Sequence, residues 1–289
     1  MKILITGGNG FIGSHLADKL SEKHEVVVFD ALERENLNPG LNIKQIRGDI
    51  TSPINAENIE NIDGIIHLAA ISRVSDAARE PEKAIQVNVL GTLNILELAK
   101  KLNSWVIIGS SVEPATNLYG LTKLFSELLA ERYARDNNLK ILALKFSSTY
   151  GSARDNKKKV LPKLIVQALN NQEITLDNGK RAFDFIFIDD LIKGICSAVN
   201  YIQNMNQAYD TFSLCTNQLT SLRELAETII KAADSKSKLI IQEEKESPED
   251  TKRLQDIEKT EQALNFKAET GIEEGIRRAV EDFKKNFSY

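Results

Sequence analysis

Only two cysteines, three histidines and one tryptophan occur among the 289 residues, and no apolar run approaches the 18 or so residues that a membrane span requires. Cys196 and Cys215 stand alone, without CxxC spacing or a second pair, so neither a disulfide framework nor structural zinc is expected. His15, His24 and His67 are too scattered to suggest a metal cage, and no metal is expected. Nor is there an excess of basic charge. The 37 Lys and Arg are outnumbered by 41 Asp and Glu, giving −4, the wrong sign for a duplex-DNA binder. The first apolar run, Ile3 to Ile5, is far too short for the hydrophobic region of a signal peptide. These absences predict a cytoplasmic protein with no nucleic-acid or membrane partner. Its chemistry must come from an organic cofactor or from Ser, Tyr, Lys and carboxylates. What is present, 42% hydrophobic and 27% charged residues, is a globular balance.

The first half alternates short apolar runs with amphipathic stretches. Strands are predicted at Lys2–Thr6, Glu25–Asp30, Asn42–Arg47, Gly64–Leu68, Ser104–Ile108 and Lys140–Phe146. Rich in Ile, Val and Leu and without strict alternation, they suit parallel strands buried on both faces. Helical spacing fills the gaps at Phe11–Glu22, Glu82–Leu102 and Tyr119–Asn137. Such alternation implies right-handed crossovers and a doubly wound α/β sheet of Rossmann type. The second half reads differently. A basic loop (Lys157 to Lys159), a helix from Pro162, an Asn178–Gly179 turn and an aromatic strand Phe183–Ile188 come first. A helix near Asp189, a short strand around Thr211–Leu214, a helix at Ser221–Ala233, a charged loop Glu243–Asp250 and an amphipathic Glu273–Phe287 follow. The expected division is a nucleotide-binding domain over 1–150 and a smaller α/β substrate domain over 151–289. Segments near 184–215 are expected to cross back.

Residues 3–16, ILITGGNGFIGSHL, read as strand, glycine turn and helix. Gly8-x-Gly10-x-x-Gly13 and Gly7-x-x-Gly10-x-x-Gly13 both occur there. Missing side chains let the backbone turn sharply against a pyrophosphate, and N–H groups at the helix start attract it. The spacing alone is common, but here it closes a strand and opens a helix. Asp30 ends the second strand, where a carboxylate binding ribose hydroxyls belongs. Because a carboxylate repels a 2′-phosphate, the expected cofactor is NAD rather than NADP, although Arg34 stands nearby.

Tyr119-x-x-x-Lys123 starts a predicted helix, so both side chains share one face. Tyrosine ordinarily titrates near 10 and is a poor base at neutral pH. An ammonium neighbour and a positively charged nicotinamide ring both stabilise the phenolate. A tyrosine so tuned takes a hydroxyl proton as hydride leaves the same carbon. Ser110 and Ser111 end the preceding strand, where one hydroxyl can hold the developing carbonyl oxygen.

Taken together, these motifs resemble the extended short-chain dehydrogenase/reductase family, in its nucleotide-sugar epimerase and dehydratase branch. TGGNGFIGSHL (6–16) is similar to its cofactor loop, GD (48–49) to its adenine-contacting segment and HLAA (67–70) to a segment lining the cofactor. VNVLGTLNILE (87–97) resembles a helix whose asparagine, here Asn88, braces the active-site strand. YGLTK (119–123), KFSSTYG (145–151), FDFIFIDD (183–190) and the closing stretch 256–280 resemble later family motifs. The resemblance implies roles residue by residue. Tyr119 is the general base and acid, Lys123 orients the nicotinamide ribose, and Ser111 rather than Ser110 is the hydroxyl partner. Gly7, Gly10, Phe11, Ile12, Gly13 and Asp30 hold the dinucleotide with Tyr119 and Lys123; Asp49 and Ile50 flank adenine; Leu68, Ala69 and Ala70 pack along the cofactor. It also implies a nucleotide-sugar substrate and a homodimer paired through the helices at 82–102 and 119–137.

The departures from the family pattern concern the substrate. Only seven residues separate Ser111 from Tyr119, a span several times longer in the family, and its aromatic-glycine segment is missing. Ser148 occupies the place of a diphosphate-binding asparagine, Lys145 that of an arginine and Phe183 that of a phosphate-binding arginine. Arg181 and Arg253 are candidates to supply that charge, and with Ser148 they form the expected substrate contacts. Dehydratases of the family carry an Asp–Glu pair after the catalytic hydroxyl, whereas this chain has Val112 and Glu113. The expected activity is therefore NAD-dependent C4 epimerisation of a nucleotide sugar through a transient keto intermediate. Dehydratase, decarboxylase and ketosugar reductase activities of the same fold are the alternatives, with a non-catalytic dinucleotide-binding regulator as a rival of another class.

Overall fold

A computed structural model describes residues 1–32, 43–54, 59–112, 115–243 and 255–286. The chain forms two compact units. The first gathers Met1–Phe146, Ile192–Ser213 and Glu258–Phe266, and the second Ser147–Leu191, Leu214–Ile257 and Lys267–Tyr289.

In the first unit, β1 (Lys2–Thr6), β2 (Glu25–Asp30), β3 (Ile43–Arg47), β4 (Gly64–His67), β5 (Trp105–Ser111) and β6 (Ile141–Phe146) are joined by helices. They stand in the order β3-β2-β1-β4-β5-β6. A further strand, β10 (Tyr209–Leu214), closes the β6 edge. Registers are parallel, as in Leu4 beside Val27 and Ile65, and Ile107 beside Leu142. The N–H groups of Ile141 and Ser147 bond the carbonyls of Ala208 and Leu214, so β10 advances in the same sense as β6. Continuous burial explains the lack of alternation: Ile3, Leu4, Ile5, Ile65, Ile66, Val106 and Ile107 are all fully buried. The strand order reverses between β1 and β4, and a crevice beyond the carboxyl ends of strands at such a point is where this architecture takes ligands.

The helices that matter to the site are α1 (Phe11–Ser21), α4 (Gly91–Leu102) and α5 (Leu118–Asn137). The short α2 (Val74–Arg79) and α3 (Pro81–Ile85) precede α4, and a π turn, Gln86–Leu90, joins α3 to α4. The Asn117 side chain caps α5 by accepting the Gly120 N–H at 2.9 Å. Asn103 and Asn138, both left-handed, stop α4 and α5. Bulky side chains of α4 and of the sheet, among them Ile95, Leu96, Val106 and Ile108, share one buried cluster.

The second unit holds a three-stranded sheet in the order β11 (Leu219–Ser221), β9 (Ala182–Phe187), β7 (Ser148–Tyr150). A parallel pair, β8 (Ile174–Asn178) with β12 (Leu239–Glu243), lies apart from it. Helices α6 (Val160–Leu169), α8 (Leu222–Ala233) and α10 (Ile272–Asn286) complete this unit. Ser221 and Glu224 form a capping box at the start of α8. Tyr150 packs edge-on against Phe185 and Phe187. Two further helices are α7 (Ile188–Asn204) and α9 (Glu258–Leu264). The predicted loop Glu243–Asp250 falls, past Glu243, outside the described residues.

Candidate active site

The site residues of the first unit collect at the carboxyl ends of its strands. β1 ends at Thr6, and Gly7 follows with φ +70. A Cβ at Gly7 would lie 2.6 Å from the Ala69 nitrogen, and one at Gly13 would lie 2.2 Å from the Gly7 carbonyl oxygen. Neither approach tolerates a side chain, so the loop folds tightly onto the start of α1. The Gly10 N–H bonds the Gly7 carbonyl and the Ser14 N–H bonds the Gly10 carbonyl, both at 3.0 Å. No side chain caps α1, and the N–H groups of its first turn are oriented to receive an anion.

Asp30, at the end of β2, bonds this loop directly. One carboxylate oxygen accepts the Asn9 N–H at 2.9 Å and the other accepts the Leu32 N–H at 3.0 Å. The Asn9 side chain bonds the Leu32 carbonyl at 2.7 Å. Asp30 thus ties the glycine turn to the neighbouring strand end, a task that its position in the sequence did not suggest. Asp49 accepts the Thr51 N–H at 2.8 Å, while the buried Ile50 offers its carbonyl to Asn94 and packs on Gly91. Leu68, just past β4, donates its N–H to the Thr6 carbonyl at 3.1 Å, and the Ala69 N–H points to the Thr6 hydroxyl at 3.4 Å. Ala70 is half-buried beside them. A cradle that Cβ atoms would fill, an uncapped helix start and a carboxylate at the second strand fit a dinucleotide.

On the other side of the switch point, Tyr119 and Lys123 stand one turn apart at the start of α5. The Lys123 ammonium donates to the Gly109 carbonyl at 2.8 Å, which fixes it under the end of β5. Burial lowers its pKa to about 8, against the opposing pull of Glu127. Ser110 is buried and donates its hydroxyl to Glu127. Alternation along β5 sends half-buried Ser111 to the opposite face.

Beneath these residues runs a directed chain of hydrogen bonds. The Thr92 hydroxyl donates to the Asn88 carbonyl at 2.6 Å, so its oxygen accepts from His67 Nε2–H at 3.2 Å. His67 Nδ1 then accepts the Thr6 hydroxyl at 2.7 Å. This assigns the Nε2–H tautomer from the donors around it. Complete burial and the Lys123 charge depress the imidazole to about 3, so it is neutral at physiological pH. Asn88 itself is buried in the π turn. Its amide exchanges bonds of 2.8 and 3.1 Å with the Ile71 backbone and donates to Thr122 at 2.9 Å, while its carbonyl also takes the Ser126 hydroxyl. Asn88 therefore braces the segment after β4 and the first turns of α5 rather than the strand it was expected to brace. The two hydroxyls that donate to its carbonyl match the local widening of the helix.

In the second unit Ser148 is exposed on β7, and exposed Arg181 lays its guanidinium 4.9 Å over the Phe183 ring. Lys159 pairs with Asp155 at 2.9 Å. Arg253, Arg34 and Glu113 lie outside the described residues. Glu127, Thr6 and Thr92 escaped the sequence reading; the one available signal was Glu127, four residues after Lys123. Among the described residues no cluster of His, Cys, Asp and Glu is arranged to hold a metal ion, and no helix is long and apolar enough to cross a membrane.

The model of the NAD dependent epimerase/dehydratase family matches residues 3–213. A Methanocaldococcus jannaschii protein with the provisional name UDP-glucose 4-epimerase is 30% identical, the match covering 98% of this chain and 99% of that one. UDP-glucuronic acid decarboxylase 6 of Arabidopsis thaliana is 29% identical over 98% of this chain and 89% of its own. Among solved structures, the UDP-glucose 4-epimerase of Thermotoga maritima with UDP-glucose superposes with a TM-score of 0.89 at 26% identity, over 100% of both chains.

Proposed function

The chain belongs to the NAD dependent epimerase/dehydratase family, with NAD as its cofactor, and from that membership we propose that it is a nucleotide-sugar 4-epimerase. The observation that carries this reading is the Lys123 ammonium, held on the Gly109 carbonyl one turn from Tyr119 at the ligand-binding edge of the sheet. Bound at the glycine loop, NAD would supply a reversible hydride acceptor for the sugar carbon. Tyr119 takes the sugar hydroxyl proton and later returns it to the oxygen of the transient keto sugar, which turns over in the site so that the opposite face of its carbonyl carbon is reduced. Ser111 donates to the oxygen that becomes the carbonyl. Lys123 holds the ribose and, as an ammonium, favours the Tyr119 phenolate. Gly7, Gly10, Phe11, Ile12, Gly13 and Asp30 hold the dinucleotide, with Asp49 and Ile50 at its adenine and Leu68, Ala69 and Ala70 along its length. Val112, at the position of an acid in dehydratases, supports epimerisation over dehydration.

The second unit is the substrate-binding part of this reading. Ser148, Arg181 and Arg253 contact the nucleotide diphosphate, with Arg181 standing in for the arginine that Phe183 replaces. The protein works in the cytoplasm as a homodimer. Leu121, Leu124, Phe125 and Leu128, spaced i, i+3, i+4, i+7, leave an apolar stripe along α5, with Phe125 57% and Leu128 55% exposed. A second copy covers that stripe by two-fold pairing.

The decarboxylase relative favours one other outcome, loss of CO2 from a nucleotide-linked uronic acid. One experiment separates them. Purified protein with NAD is incubated with UDP-, dTDP- and GDP-hexoses and with UDP-glucuronic acid, and products are resolved by chromatography. Interconversion of C4 epimers is expected. CO2 release with a pentose product moves the protein to the decarboxylases, and no conversion of any sugar overturns the enzymatic reading. Tyr119→Phe is expected to lower turnover by about 10²- to 10⁴-fold while NADH binding persists.

A further inference from the structure

One turn beyond Lys123, α5 carries a buried carboxylate that takes no part in the steps above. Both oxygens of Glu127 are engaged. Oε1 accepts the Ser110 hydroxyl, and Oε2 faces the Lys145 ammonium at 3.0 Å. Ser110 and Lys145 are register partners on β5 and β6. Successive turns of α5 therefore grip successive residues of β5, Lys123 on the Gly109 carbonyl and Glu127 on Ser110. The next residue, Ser111, is the proposed hydroxyl partner of the substrate oxygen.

We infer that Glu127 is a positioning residue, which sets the register of the catalytic helix on β5 and keeps the Lys123 ammonium against Gly109. The inference rests on the proposed roles of Tyr119, Lys123 and Ser111. A buried ion pair is a weak source of stability, because desolvation of both charges offsets much of their attraction. Its geometric consequence is stronger. If α5 slid or rolled on the sheet, Glu127 would leave Ser110 and Lys145 in the same movement that took Lys123 off Gly109.

The charges around Lys123 give the arrangement a measurable signature. From its own helix Lys123 faces Glu127; from β4 it faces His67, which is neutral. Glu127 in turn faces Lys145 from β6 and Tyr209 from β10, whose phenol is pushed up by burial first and then by Glu127, Glu131 and Asp210. The carboxylate that opposes the burial of Lys123 is thus the one that anchors the helix. Removing its charge lets Lys123 lose its proton at lower pH.

The test compares Glu127→Gln with Lys145→Gln. Both break the same ion pair, but only the first deletes the negative charge beside Lys123. NADH affinity, followed by fluorescence from pH 6 to 10, reads cofactor binding without any turnover. For the wild type, binding is expected to weaken through about pH 8, where Lys123 titrates. In E127Q that midpoint is expected to fall by about one pH unit. In K145Q it is expected to stay in place or rise. Where the wild type turns over a sugar, E127Q is also expected to lose kcat more than it alters KM. An unmoved midpoint in E127Q, or an equal fall in K145Q, overturns the inference. If E127Q does not fold, Ser110→Ala decides, since it deletes one anchor and no charge: severalfold weaker NADH binding supports the inference and unchanged binding overturns it. Absence of sugar turnover by the wild type removes the proposed function, while the NADH titration still judges Glu127.

Discussion

His67 offers the sharpest thermodynamic test of the buried network. Its imidazole is fully enclosed, takes the Thr6 hydroxyl on Nδ1, gives its own proton to Thr92, and is depressed to about 3. Histidine in an unfolded chain titrates near 6.5. Between these values the unfolded state binds a proton that the native state refuses, so stability rises with pH across that window. The contribution is fully present above about pH 6.5 and is lost as pH falls from there toward 3. From pH 7 to pH 5 the loss is about 2 kcal/mol, at roughly 1.36 kcal/mol for each pH unit. Trp105 opens β5, is the one tryptophan of the chain and packs on Gly64 of the histidine-bearing strand, so its fluorescence reports the first unit. Urea denaturation followed at that wavelength, at pH 7 and pH 5, should show the wild-type midpoint falling by about 1 M more than that of His67→Gln. Any constant cost of the substitution cancels in the difference. Parallel curves for the two proteins would mean that the folded protein accepts the proton, and the enclosed, neutral imidazole would be refuted.

Other consequences are testable in the same preparations. Gly13→Ala places a methyl against the Gly7 carbonyl, which lies 2.2 Å from an ideal Cβ, and should weaken NAD binding by more than about tenfold in calorimetry, or about 1.4 kcal/mol. Asp30→Ala removes both the tether to Asn9 and Leu32 and the charge facing a 2′-phosphate; NAD affinity should fall while the NADP-to-NAD affinity ratio rises, and an unchanged ratio would deny Asp30 any part in cofactor choice. Leu124→Glu with Leu128→Glu should convert a dimer to monomer in sedimentation, and a wild type already monomeric at micromolar concentration would sink the proposed pairing.

Much of the first unit was legible because its signals are local. Lys2–Thr6 and Glu25–Asp30 are short apolar runs ended by turn residues, and the strands have those same limits. β5 runs three residues past the predicted Ile108, because Gly109, Ser110 and Ser111 pair with Leu144, Lys145 and Phe146 although they are not apolar. The stretch Glu82–Leu102 reads as one helix, but its spacing hides the π turn, which depends on hydroxyls of α4 and α5 reaching Asn88. In the second unit Ile174–Asn178 and Leu239–Glu243 went unrecognised as strands, each needing a partner some sixty residues away. The glycine loop and the Tyr119–Lys123 pair were visible as spacing. The contacts of Thr6, His67, Thr92 and Glu127 were not, since these residues stand on β1, β4, α4 and α5 and meet their partners only when the sheet and both helices come together.

The first unit is closed by its most distant pieces of chain. β6 finds its edge partner in Tyr209–Leu214, and Thr260 and Lys259 of α9 then fasten Ser213 and Asp210. On the ribosome, therefore, the long N-terminal stretch emerges with one margin of its sheet bare. That margin stays bare until Tyr209–Leu214 has been made, a delay during which it can pair with a stranger. Vectorial synthesis makes this protein dependent on its own late arrivals, and a premature stop before residue 209 leaves an adhesive template rather than a smaller working domain.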